Sequence, residues 1–188
     1  MILKRFEDGH LDVLALVEVA DYVHELAALA KKAGHRLLYV NGALNVRNQA
    51  ILVRESSNVG HVYSIPANAT YFAPNGAVRR SSSPLAAHID GVLYLAVHAP
   101  VGAWVPGRGG RHFLGPIRRR IAFRRYVNRL AVVFERHQHL PVLVLGDWNT
   151  TPDAGGNNSA KALAAKARAH IIRPHASTGH GEIDFAVG

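Results

Sequence analysis

Short apolar runs alternate along the chain with clusters of turn-forming residues, which is the pattern of a fold rich in β-strands. Eight such runs are five to eight residues long and have the spacing of strands. They predict strands at residues 12–17, 36–40, 49–54, 58–65, 85–89, 92–98, 141–145 and 182–187. Asp90-Gly91, between two of these runs, is a strong signal for a two-residue β-hairpin.

Other segments have helical spacing. Gly115-Pro116 predicts the start of a long helix that continues to about His137. Its buried face is predicted to consist of Phe123, Val127, Leu130 and Phe134. Shorter helices are predicted at residues 2–6, at 21–34 with Asp21 as the N-cap, and at 159–169.

The segment 71–83 is rich in Pro, Gly, Asn and Ser, and it predicts a loop. Hairpins mixed with helices indicate an α+β fold, in which two packed β-sheets are flanked by helices.

Polar residues stand at the ends of several predicted strands. Glu18 and His98 each end an apolar run, and Asp147 and Asn149 follow a third after a glycine, while Asp184 lies within the last strand. If these strands are neighbours, the side chains gather at one edge of the sheet. Carboxylates together with His and Asn suit a hard divalent cation and a phosphoryl group.

Each of these residues also has an ordinary structural explanation. Asp147 to Asn149 could form an Asx turn after a strand, and Glu18 could be a solvated charge. His98 alone is more often structural than catalytic. The joint occurrence of all five residues in this order is what favours a site.

The ordered segments LALVE, LAVHAP, VLVLGDWN and GEIDFAV resemble the endonuclease/exonuclease/phosphatase superfamily, whose members include deoxyribonuclease I, apurinic endonucleases, sphingomyelinases and inositol polyphosphate phosphatases. The resemblance covers residues 12–187. It implies two mixed sheets in a four-layer α/β/β/α sandwich, and hydrolysis of phosphodiesters with Mg²⁺ or Mn²⁺ as cofactor.

The resemblance also implies a role for each residue. Glu18 falls on the metal-binding glutamate, and His98 on a strand-end histidine that binds a phosphoryl oxygen. Asp147 and Asn149 fall on the residues that orient or deprotonate water and position the phosphate. Asp184 falls on the aspartate that orients a catalytic histidine.

The chain departs from the family pattern at both ends. It has neither the usual opening strand that ends in asparagine nor the closing Ser-Asp-His strand, and Val17 replaces a common glutamine. We therefore expect residues 1–188 to form a single domain that is incomplete at both ends.

The composition of the chain predicts a polyanionic partner. The formal net charge is +9, and residues 101–140 contain nine arginines but only one acidic residue, Glu135. Basic residues grouped on one face favour binding to phosphates, so DNA is the first choice of substrate. Arg108, Arg111 and Arg120 are predicted to reach the mouth of the site. A second set is predicted to face water and to contribute only diffuse attraction, namely Arg118, Arg125, Arg129 and Arg136.

Two other functions stay open at this stage. The chain could be a catalytically impaired nucleic-acid-binding remnant, or a phosphatase or phosphodiesterase of phospholipids or inositol phosphates. Acidic residues interrupt every N-terminal apolar run long enough for a signal or membrane segment, and the chain has no cysteine. A soluble, cytoplasmic, monomeric protein is the resulting expectation.

Overall fold

A computed structural model describes residues 2–42, 48–66, 70–72, 78–80, 82–100, 114–149, 160–172 and 184–188. The elements are α1 (Ile2–Asp8), β1 (Val13–Val17), α2 (Val23–Lys32), β2 (His35–Leu38), β3 (Gln49–Arg54), β4 (Val59–Ser64), β5 (Thr70–Phe72), β6 (Val78–Arg80), β7 (Leu85–Ile89), β8 (Val92–His98), α3 (Leu114–Arg136), β9 (Val142–Asp147), α4 (Ala160–Ala167), β10 (Ile171–Ile172) and β11 (Asp184–Val187).

Two sheets carry most of these strands. The larger sheet has the order β10-β11-β9-β8-β7-β4, and it is mixed because β8 and β9 run parallel while its other neighbours run antiparallel. The smaller sheet has the order β1-β3-β2, and both of its pairings are antiparallel. The short strands β5 and β6 pair separately.

Alternation along β3 builds two layers at once. Ile51 and Val53 pack between the sheets, against a group of buried residues that includes Leu85 and Ile89 of β7. The residue between them, Leu52, faces the other way and contacts α1 and α2. Successive side chains of a strand point to opposite faces, so a strand buried on both sides reads as a continuous apolar run.

Helix α3 covers the outer face of the larger sheet. Its residues Phe123, Val127 and Leu130 are buried against Leu95 and Val97 of β8, as the helical spacing predicted. The helices α1 and α2 lie on the smaller sheet, so the layers run helix, sheet, sheet, helix. The α+β architecture of two sheets flanked by helices is confirmed.

The predicted hairpin between β7 and β8 is confirmed. β7 and β8 have the predicted bounds, and Asp90 and Gly91 have positive φ angles of 50° and 81°, as a type I′ turn requires. The prediction of a loop over residues 71–83 was wrong in part, because β5 and β6 pair within it.

The prediction of Asp21 as an N-cap was wrong. Tyr22 is the N-cap of α2, and no side-chain hydrogen bond caps this helix. Among the described helices, none combines the length and apolar character needed to cross a lipid bilayer.

Candidate active site

The ends of three strands of the larger sheet meet at Asp147. The parallel strands β8 and β9 bring His98 and Asp147 into register as Cα partners. On the other side of β9, the backbone of Asp184 pairs with Asp147 in antiparallel register. The side chain of Asp184 lies outside the described part of the structure. Three residues predicted for the site therefore lie in one row across neighbouring strands.

Glu18 reaches the same place from the other sheet. Its strand is not a neighbour of those that carry His98 and Asp147, which was the condition considered from the sequence, because β1 belongs to the smaller sheet. β1 packs against β8 and β9 across the sandwich, so its end lies over theirs. The site is therefore built at the mouth between two sheets.

The His98 imidazole lies between two carboxylates. Its Nε2 atom is 3.8 Å from Oε1 of Glu18 and 3.8 Å from Oδ2 of Asp147. The Glu18 side chain is 75% exposed, whereas those of His98 and Asp147 are about one-fifth exposed. One carboxylate is thus open to solvent and the other is held in the wall of the site.

Asp147 uses its two oxygens differently. Oδ1 accepts a hydrogen bond of 2.7 Å from the backbone N–H of Asn149, which is the Asx turn considered from the sequence. Oδ2 faces His98. The Asn149 amide donates in turn to the carbonyl of Ala99, at 2.8 Å, and ties the exit of β9 to that of β8. The structural and functional interpretations of this motif are therefore compatible.

Two of the predicted site residues have left-handed backbones. Glu18 has φ 59° and Asn149 has φ 49°. Asparagine tolerates this region, but glutamate adopts it rarely. Strained conformations of this kind concentrate at functional sites, where the surrounding structure holds them. This observation supports a role for the Glu18 turn beyond packing.

Sequence reasoning missed Asn48 and Ser82. The Asn48 amide nitrogen lies 3.1 Å from Nδ1 of His98 and 2.9 Å from Oγ of Ser82. These contacts join residues 50 and 34 positions apart, so no local spacing signals them. The only available signal was a polar residue directly before the apolar strand β3.

Two buried polar residues border the site. Gln49 is fully buried at the start of β3, and neither of its amide atoms has a hydrogen-bond partner among the described residues. Tyr126 of α3 is also fully buried, beside the backbone of His98. Burial raises the pKa of Tyr126 well above its usual range, so the phenol stays neutral.

The donor chemistry fits a magnesium-type cation. Glu18 and Asp147 supply carboxylate oxygens, which are the ligands that Mg²⁺ prefers. Among the described residues, no group of three His, Cys, Asp or Glu side chains could hold a metal ion. Mg²⁺ sites commonly use only one or two carboxylates, with water and substrate phosphate completing the coordination. The two carboxylates are therefore compatible with a cation shared with substrate.

The structure tests only part of the arginine prediction. Arg108 and Arg111 lie outside the described residues, and so does the side chain of Arg120, although its backbone belongs to α3. Their placement at the mouth of the site stays a prediction. In the second set, Arg125, Arg129 and Arg136 are exposed, while the side chain of Arg118 is not described.

One comparison with known proteins identifies the family of the chain. A sequence model of the Endonuclease/Exonuclease/phosphatase family matches residues 1–184. No curated protein sequence matches the chain significantly.

Three similar solved structures illustrate the shared fold. The catalytic domain of human Nocturnin with a bound sulfate anion has 14% identity and a TM-score of 0.62, over 99% of this chain and 72% of that one. A 3′ phosphatase from Neisseria bound to a product DNA hairpin has 15% identity and a TM-score of 0.62, over 99% and 79%. An AP endonuclease from Archaeoglobus fulgidus has 12% identity and a TM-score of 0.61, over 100% and 79%.

Proposed function

Because the chain belongs to the Endonuclease/Exonuclease/phosphatase family, we propose that it is a metal-dependent phosphodiester hydrolase that acts on DNA. The observation that carries the proposal is the convergence on His98 of two carboxylates from different sheets, each 3.8 Å from Nε2. An imidazole between an exposed and a partly buried carboxylate suits a reaction in which negative charge develops on a phosphoryl oxygen.

Each residue has a role in this proposal. Glu18 would hold Mg²⁺ or Mn²⁺, and the ion would supply positive charge to neutralise a phosphoryl oxygen. His98 donates a hydrogen bond from Nε2 to a non-bridging oxygen of the phosphate. Asp147 orients and deprotonates the attacking water, because its Oδ2 faces the site while Oδ1 is held by the turn. Asn149 positions the water or the phosphate. Asp184, whose backbone pairs with Asp147, corresponds to the family aspartate that orients a catalytic histidine.

DNA is the favoured substrate for two reasons. The net charge is +9, and cations are exposed on both outer helices of the larger sheet, including Arg125 and Arg129 of α3 and Lys166 of α4. Such a surface attracts a phosphate backbone through counterion release. Among the similar structures, one 3′ phosphatase was solved with a DNA hairpin, and another protein is an AP endonuclease.

The test is cleavage of labelled DNA by the purified chain. The substrates are an intact duplex, a duplex with one abasic site and a duplex with a 3′-phosphate, each with Mg²⁺ or with excess chelator. Asp147→Ala is expected to lower turnover by at least about 10²-fold, because the general base is lost. Asp12→Ala is the matched control, since Asp12 makes an exposed ion pair with Arg54 before the opposite end of β1.

The outcomes separate the proposal from its rivals. Cleavage that persists in Asp147→Ala or in chelator belongs to another protein. Salt-sensitive binding of DNA without any cleavage supports a binding remnant instead. Turnover of inositol phosphates or phospholipids, with DNA left intact, would replace the substrate but keep the reaction class.

A further inference from the structure

Asn48 joins three separate segments at the site. Its side-chain nitrogen contacts His98 at the end of β8 and Ser82 before β7. Its backbone carbonyl accepts a hydrogen bond of 3.3 Å from the N–H of Val19, the residue after Glu18. One residue therefore holds the Glu18 turn and the His98 ring in a fixed relation to each other.

The Asn48 contact specifies where the proton of a neutral His98 ring resides. The side-chain nitrogen of asparagine is only a donor, and it lies 3.1 Å from Nδ1 of His98. Nδ1 must therefore act as the acceptor. A neutral imidazole carries one proton, so that proton is on Nε2.

The carboxylates lead to the same conclusion independently. Nε2 faces Oε1 of Glu18 and Oδ2 of Asp147, each at 3.8 Å, and ionised carboxylate oxygens are only acceptors. A bare Nε2 would direct its lone pair at two negative groups, whereas an Nε2–H directs a positive dipole at them. The same argument disfavours an Asn48 amide turned by 180°. Its oxygen would accept a hydrogen bond from Nδ1–H, and the bare Nε2 would then face the two carboxylates.

We infer that Asn48 is a positioning residue that holds His98 in the Nε2–H tautomer, with the donor directed into the site. The ring then presents a hydrogen-bond donor to an incoming anion without prior proton rearrangement. This assignment of the tautomer applies to the protein without substrate and does not depend on the proposed function. Its effect on cleavage rests on the proposed function, in which His98 donates to a phosphate oxygen.

The direct test is nuclear magnetic resonance of the full chain with ¹⁵N-labelled histidine. Two-bond nitrogen–hydrogen correlations at alkaline pH distinguish the two neutral tautomers, and His98→Gln identifies the His98 signals by their loss. The expected spectrum has a protonated Nε2 and a bare Nδ1. A protonated Nδ1 in the wild-type protein would overturn the inference.

Two substitutions test the role of Asn48. In Asn48→Asp, the carboxylate can only accept, so the tautomer is expected to switch to Nδ1–H. In Asn48→Ala, only the two carboxylates still favour Nε2–H, so the spectrum should show a smaller excess of this tautomer than the wild type does. The control is Asn128→Ala, because Asn128 makes its side-chain contact with Lys166 on the helical surface. An unchanged His98 spectrum in both Asn48 variants would overturn the inference.

The same variants connect the tautomer to turnover. Loss of a contact that orients a metal ligand typically costs about 10-fold to 100-fold in activity, and by analogy we expect a loss of this size in kcat of Asn48→Ala. Asn48→Asp should lose about 10²-fold or more, because the donor to the phosphoryl oxygen is removed. If the wild-type chain cleaves nothing, the proposed function fails, but the wild-type spectrum still decides the tautomer. If the spectra change as expected and kcat does not, the tautomer stands and its contribution to cleavage is refuted.

Discussion

The backbone of Gly146 lies directly against the carbonyl group of Val97, one residue before the pair formed by Asp147 and His98. Gly146 has φ 132°, in a region that other residues rarely adopt. A Cβ atom at this position would overlap the Val97 carbonyl oxygen. Glycine therefore allows β8 and β9 to stay close where they end at the site.

Gly146→Ala is expected to destabilise the fold and to separate Asp147 from His98. The unfavourable φ costs about 1–3 kcal/mol, and the overlap with a paired strand costs a similar amount. The measurement is the free energy of unfolding in urea. Gly60→Ala in β4 is the control, because its Cβ would make ordinary contact, 3.4 Å from the Cβ of His88. Equal stability of the two variants would contradict the close approach.

The outward arginines should affect salt dependence rather than turnover. The set predicted to face outward from α3 consists of Arg118, Arg125, Arg129 and Arg136. Replacing them with glutamine removes diffuse attraction to a polyanion, so the slope of log K against log salt for long DNA should become shallower, by about 0.9 per lost phosphate contact. Cleavage of a short duplex at low salt should change little.

The arginines predicted to reach the mouth of the site are expected to behave in the opposite way. Replacing Arg108, Arg111 and Arg120 with glutamine should lower kcat for any phosphodiester at both low and high salt, because contacts at the reacting phosphate are lost. If the outward set reduces cleavage of the short duplex more than this set does, the assignment of the two sets is wrong.

His137 should make the stability of the fold sensitive to mild acid. Burial lowers the pKa of His137, and the neighbouring His88, His139 and Arg136 lower it further. The unfolded chain therefore binds this proton more tightly than the folded chain does. The stability associated with neutral His137 is complete above about pH 6.5 and is lost as the pH falls from there through the folded pKa.

The check is the urea midpoint at pH 8 and at pH 5.5. The loss of stability between these values should be smaller in His137→Gln than in the wild type, because glutamine does not titrate. His61→Gln, which alters an exposed residue of β4, should show the wild-type loss. Identical losses in all three proteins would show that His137 does not contribute.

The Tyr126 hydroxyl should contribute little to the free energy of unfolding, whereas the Tyr126 ring should contribute substantially. The oxygen is buried and forms no hydrogen bond of acceptable geometry with the described residues, although the His98 backbone lies nearby. Tyr126→Phe should therefore leave the free energy of unfolding within about 1 kcal/mol of the wild type. Tyr126→Ala should lose about 3–5 kcal/mol. A larger loss in Tyr126→Phe would reveal a partner for the hydroxyl.

The order of polar residues at strand ends already identified most of the candidate site. Asp147 and Asn149 follow β9, and His98 ends β8, which are positions set by where apolar runs stop. The chemistry of these residues suggested a phosphoryl group and a divalent cation, and the family match agrees with that direction. Their roles and the cofactor stay predictions, since they depend on a substrate and a metal.

The sequence by itself determined the elements whose causes are local. Apolar runs bounded by turn-forming residues predicted β3, β7 and β8, the Asp90-Gly91 turn predicted one hairpin, and the 3.6-residue period predicted the buried face of α3. Only the tertiary structure decided that β1 lies in the opposite sheet from β8, and that Asn48 contacts His98 from 50 residues away. An apolar run satisfies either sheet equally well, so the choice depends on packing between distant segments rather than on any local preference.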